Sequence, residues 1–134
     1  MILKSNLGTT YSLTTSWANI SGLSITIQED GYYLTVGNIS LQINDNDDTE
    51  AYGYLALAIN GTTLPSSAGY GRLRISDNNA VAVLTIPINN ILYLKKDDVL
   101  TVQAYMPAGD NSSVVATTTY IEAINLTKLA RGGM

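Results

Sequence analysis

Alternation is what most constrains this chain. Along most of its length apolar residues take turns with hydroxyl and amide residues, and a turn signal interrupts roughly every ten positions. No window carries a 3.6-residue apolar period with caps at its ends. Residues two apart share one face of a strand, so this pattern builds half-buried β-strands, and many short strands at even spacing make a sandwich or a barrel. The pattern predicts strands over 9–13, 17–20, 24–28, 32–43, 52–59, 71–75, 80–87, 99–106 and 115–126. Between them stand EDG, NDNDDTE, NGTTLPSSAGYG, SDNNA, KKDD and PAGDNSS, rich in residues that accept tight or left-handed turns.

Two strands have an informative phase. In QEDGYYLTVGNISLQIN, Tyr32, Leu34 and Val36 fall on one face while Ile39, Leu41 and Ile43 fall on the other. A one-residue bulge near Gly37 and Asn38 would reconcile them. In YGYLALAIN, Leu55, Leu57 and Ile59 share one face, and Tyr52, Tyr54, Ala56 and Ala58 share the other. Both faces are too apolar for free solvent, so one is expected to meet the core and the other a neighbouring subunit.

Composition narrows the chemistry. With 134 residues the chain suits one domain. It has no cysteine and no histidine, which excludes disulfides, thiol nucleophiles, Ser-His pairs and imidazole or thiolate metal sites. The net charge of −4 and seven scattered basic residues argue against nucleic acid. No stretch is long and apolar enough for a membrane span, and MILKSNLGTT lacks the apolar core of a signal peptide, so folding in a cytoplasm is expected. Nine tyrosines stand beside no phenylalanine, a bias that suits surfaces with one apolar and one wet side. Five Asn-x-Ser/Thr sequons begin at Asn19, Asn38, Asn60, Asn111 and Asn125; in a chain this rich in those residues they read as composition.

EDGYYLTVGNISLQI, YLALAINGTTL, AVAVLTIPINNILYLKKDDVLTVQAY and TTTYIEAINLTKL, taken in order, resemble the trimeric jelly roll of the complement globular heads and the tumour necrosis factor family. The resemblance spans about residues 9–127, with an arm at 1–8 and a tail at 128–134. It departs at Asp97, where the family's turn carries glycine. It implies an all-β jelly-roll sandwich of 8–10 antiparallel strands forming a homotrimer, with no enzyme activity and no cofactor. Members without cysteines are familiar from bacteriophage particles, as head fibres, decoration proteins and tail-fibre tips. The expectation is therefore a phage structural protein in the virion. Its partners would be other virion proteins and a host glycan or surface protein, with no nucleic acid and no membrane insertion; residues 1–8 would serve as an attachment arm. A bacterial carbohydrate- or protein-binding module is the alternative, and a carboxylate-based hydrolase a third.

Candidate sites follow. The acidic run 44–50 offers Asp45, Asp47 and Glu50 as oxygen ligands for calcium, though it lacks the glycine of a tight calcium loop. The resemblance implies Tyr33 and Tyr120 near the trimer axis or core, and Tyr52 and Tyr54 join them as candidate trimer contacts. Tyr70, between glycines and followed by Arg72 and Arg74, is the candidate receptor or ligand loop. Trp17 is expected to anchor the core. Asp97 and Asp98, adjacent and beside two lysines, read as turn chemistry rather than a catalytic pair.

Overall fold

The structure is a computed structural model, and it describes residues 2–45, 50–64, 69–74, 80–107 and 111–132. Two antiparallel sheets face each other across one core, which the alternating pattern requires. One sheet contains β1 (Ile2–Asn6), β2 (Tyr11–Ser12), β4 (Gly31–Asp45), β8 (Ala80–Leu94), β10 (Asn111–Val114) and β11 (Tyr120–Asn125). The other contains β3 (Ala18–Thr26), β5 (Glu50–Ile59), β6 (Thr62–Thr63), β7 (Gly69–Arg74) and β9 (Val99–Tyr105). A short helix, α1 (Leu126–Ala130), follows β11, and Asn125 caps it by accepting from the Lys128 N–H.

β4 is the backbone of the first sheet. β8 pairs with it without interruption from Gly31↔Leu94 to Asp45↔Ala80. Along its other edge β11 pairs with residues 33–38 and β10 with 41–44. Where β4 changes partner, a 3-10 turn at Ala116–Thr118 supplies the missing hydrogen bonds. Thr119 Oγ1 accepts from the Ser40 N–H, Val115 N–H donates to Ser40 O, and Thr118 Oγ1 donates to Ser40 Oγ at 2.6 Å. A buried backbone needs such partners, and the run of hydroxyls is there to provide them.

The expected bulge at Gly37 and Asn38 is absent, because β4 holds one phase throughout. Tyr33, Thr35, Gly37, Ile39, Leu41 and Ile43 are all buried, while Tyr32, Leu34 and Val36 look outward. The inward hydroxyl that broke the apolar pattern, Thr35 Oγ1, donates to Asn90 O. Gly37 is required by packing: a Cβ there would sit 2.6 Å from Ile88 Cγ1.

Three further expectations are corrected. Residues 2–6 are not a free arm but a strand paired with β11, from Ile2↔Ile124 to Asn6↔Tyr120. The expected tail from 128 likewise begins inside α1. Trp17 is not a core anchor; it lies before β3 on the outer surface, 42% exposed. The core is instead aliphatic, built from residues such as Ile20, Leu23, Ile39, Leu41, Leu57 and Leu100, with Tyr33 as its one fully buried aromatic among the described residues.

At one end of the sandwich three turns interlock. β5 and β6 are joined by Asn60 and Gly61, both with positive φ (51° and 84°), the two-residue turn that suits strand twist. Asp97, where the family turn has glycine, adopts φ 74°. Asp98 accepts from the Lys95 N–H at 2.8 Å and from Asn60 Nδ2 at 2.9 Å. Asn60 Oδ1 accepts from the Val99 N–H, and Asp30 accepts from the Lys96 N–H.

Candidate functional site

Strand register sets the outer face of the six-stranded sheet. Ile2, Ile124, Leu34 and Ile91 stand opposite one another across β1, β11, β4 and β8. In the next row toward α1, Tyr32 and Tyr93 are paired, their rings edge to face at 5.1 Å. Ile2, Tyr32, Ile91 and Tyr93 are each more than half exposed. On the other side of the aliphatic row come Lys4, Glu122, Val36 and Asn89, then Asn6, Tyr120, Asn38 and Pro87. Lys4 Nζ lies 3.8 Å from Glu122 and 4.3 Å from the centre of the Tyr120 ring, so the charge here is internally matched. This is a contiguous apolar band rimmed by polar residues, where an ordinary surface carries its apolar residues singly.

The four candidate tyrosines do not lie together. Tyr120 belongs to this face, half-buried under Lys4. Tyr33 is corrected: it is 1% exposed, and its hydroxyl donates to Glu29 O at 2.8 Å and accepts from Asn125 Nδ2 at 3.2 Å. Burial is the main reason that its phenol is held above the ordinary value of 10.0. No surface of Tyr33 is left for a neighbouring subunit. Tyr54 lies on the opposite sheet, where its ring stacks on Tyr105 at 4.7 Å. Tyr52 is in β5, opposite Arg72, but its side chain lies outside the described residues. The outer face of β5 was expected to meet a neighbour; at Ala56 and Ala58 it is already fully buried within the chain.

The other candidates fall largely outside the described residues. Asp47 does so entirely, as do the side chains of Asp45 and Glu50, which end β4 and begin β5. Among the described residues no group of three acidic side chains gathers to hold a metal. Tyr70, Arg72 and Arg74 lie in β7, opposite Tyr54, Tyr52 and Glu50, rather than in a loop; their side chains are outside the described residues. No described helix is long and apolar enough to cross a membrane.

Sequence reasoning missed two groupings. A cavity of about 250 Å³ opens beside β1, with Tyr33 and Asn125 at its base and Ile2 and Leu3 on its wall. Glu29 and Lys128 meet there at 3.1 Å. The second is an aromatic cluster on the five-stranded sheet: Trp17 meets Tyr105 edge to face at 4.6 Å, and Tyr105 stacks on Tyr54. Alternation alone could have placed Tyr54 and Tyr105 on outward faces, but only the register brings them side by side.

No family model matches the chain, and no curated protein matches it. Among solved structures it is similar to Eiger TNF from S. frugiperda, with a TM-score of 0.57 and 14% identity, over 94% of this chain and 92% of that one. The likeness runs nearly end to end in both molecules while little sequence is shared, so it speaks to architecture. The chain folds as a tumour-necrosis-factor-like jelly roll.

Proposed function

We propose that this protein is a non-enzymatic structural component of a bacteriophage particle: a homotrimeric decoration, head-fibre or fibre-tip domain that docks on other virion proteins and faces a host surface. The apolar band across β1, β11, β4 and β8 carries the assembly half of this reading. A three-fold ring joins two different patches on each chain, and the band with Tyr120 at its edge can serve as one of them. The virion half draws on the tumour-necrosis-factor-like fold and on a chain free of cysteine and histidine. Four of the described carboxylates, Glu29, Asp30, Asp98 and Glu122, are each engaged by a lysine, a backbone N–H or an amide.

Two measurements test the proposal. Light scattering should give a stable mass of three chains of 14.3 kDa over a range of concentrations; a clean monomer removes the ring. Mass spectrometry of phage particles purified from the source culture should find peptides of this chain, and particles without them remove the virion role. The second reading, a bacterial carbohydrate- or protein-binding module, is favoured by the aromatic cluster on the five-stranded sheet.

A further inference from the structure

Trp17 is a large apolar side chain in the open, and its setting is rigid. The segment before β3 is pinned by Met106 N–H donating to Thr14 O at 2.8 Å and by Thr14 Oγ1 donating to Ser16 O at 2.9 Å. The indole presses its neighbour Tyr105 at an interplanar angle of 62°, and Tyr105 is backed by Tyr54 at 10°. The two tyrosine rings occupy each other's faces, whereas the indole remains 42% exposed.

Asn19 shares this outward face, two residues along the chain. It pairs with Gln103, the neighbour two before Tyr105. Its Oδ1 accepts from Thr101 Oγ1 at 3.3 Å and Gln103 Nε2 at 3.0 Å, and the second Gln103 hydrogen goes to Gly61 O at 3.1 Å. These bonds fix the orientation of the exposed Asn19 amide. Its Nδ2 has no partner among the described residues, and neither does the Trp17 Nε1–H. Around this point the described side chains are aromatic, hydroxyl and amide, without charge.

An open indole beside a fixed amide donor matches a molecule with an apolar C–H face and hydroxyls at its edge. We infer that Trp17, Tyr105 and Asn19 form a binding site for a neutral pyranoside oligosaccharide. The sugar ring stacks on the indole, and a ring hydroxyl accepts from Asn19 Nδ2. Little ordering is needed on the protein side, because the hydrogen bonds around Thr14 and Asn19 already hold the site. The inference rests on the proposed function only for the source of the sugar, a host surface.

Trp17 is the only tryptophan, so its fluorescence reports on the site directly. Cellohexaose, mannohexaose and chitohexaose are titrated separately to roughly 10 mM, where a millimolar site is mostly filled. At least one should give a saturable change in emission. Asn19→Ala should weaken that response about tenfold, the loss of one well-placed hydrogen bond. Calorimetry should find no binding by Trp17→Ala, with thermal melting of that variant close to that of the parent. Flat titrations with all three sugars overturn the site, as does binding that survives Trp17→Ala. Emission that changes with protein concentration alone also overturns it, since a second copy then covers the face. Solution mass is measured on the same samples: a trimer that binds no sugar removes only this site, and a monomer that binds removes only the trimer.

Discussion

At the scale of single residues, the turn at Lys95–Asp98 shows how one carboxylate holds several loops. Asp98 is kept below its ordinary value of 3.8, first by the Lys95 N–H and then by the Asn60 amide. As pH falls, the unfolded chain therefore takes up this proton before the folded one. The stabilisation is complete above the ordinary value and is lost as pH drops through the lowered one. Asp98→Ala should lower stability at neutral pH by about 1–2 kcal/mol, and its deficit against the parent should shrink in urea melts as pH falls below about 4. Its neighbour Asp97 has φ 74°, a conformation glycine adopts without the Cβ penalty. Asp97→Gly should raise the melting temperature by about 3 °C, read by calorimetry. The opposite exchange is costly where strands or sheets approach closely. A Cβ on Gly53 would collide with the Leu41 side chain between the sheets, so Gly53→Ala should destabilise by about 1–3 kcal/mol.

At the scale of elements, β1 and β8 have functions that their own sequences hide. MILKSN alternates weakly and reads as an arm, yet Ile2 and Lys4 complete the rows that β11 and β4 begin. Removing residues 1–6 should therefore lower the melting temperature as well as alter assembly, whereas a free arm would leave melting unchanged. β8 is long and apolar, with β4 on one side and, among the described residues, no other strand of its sheet on the other. An open edge of this kind invites strand pairing between molecules. Pro87 has no N–H to offer, and Asn90 Oδ1 accepts from the Ile91 N–H at 2.8 Å. Pro87→Thr combined with Asn90→Ala should increase aggregation on size-exclusion chromatography, with the fold preserved by circular dichroism.

At the scale of the whole molecule, the two outer faces differ in chemistry. The six-stranded sheet presents an aliphatic and tyrosine band with one matched charge pair, a surface suited to another protein. The five-stranded sheet presents a small aromatic cluster next to fixed amides, a surface suited to a polar ligand. If the band is the subunit contact, Ile91→Asp should shift the light-scattering mass from three chains to one, because a desolvated, unpaired charge in an interface costs several kcal/mol. A change confined to Trp17 should leave that mass unaltered.

The sequence by itself determined the secondary structure class, the turns and the pairs of residues that share a face. Alternation and the Asn60-Gly61 and Lys95–Asp98 turns are local properties, and local sterics and hydrogen bonding decide them. Which face is covered is not local. The buried phase of β4, with Tyr33 and Thr35 inside and Leu34 and Val36 outside, follows from β8, β11 and the opposing sheet, and only their packing made Gly37 a contact requirement rather than a bulge. Trp17 looked like a core residue because large aromatics usually are, but aliphatic side chains from the two sheets already fill the core. The tyrosines gave no sign in the sequence of their three different fates. Burial belongs to pairs of layers, and only the tertiary structure brings those layers together.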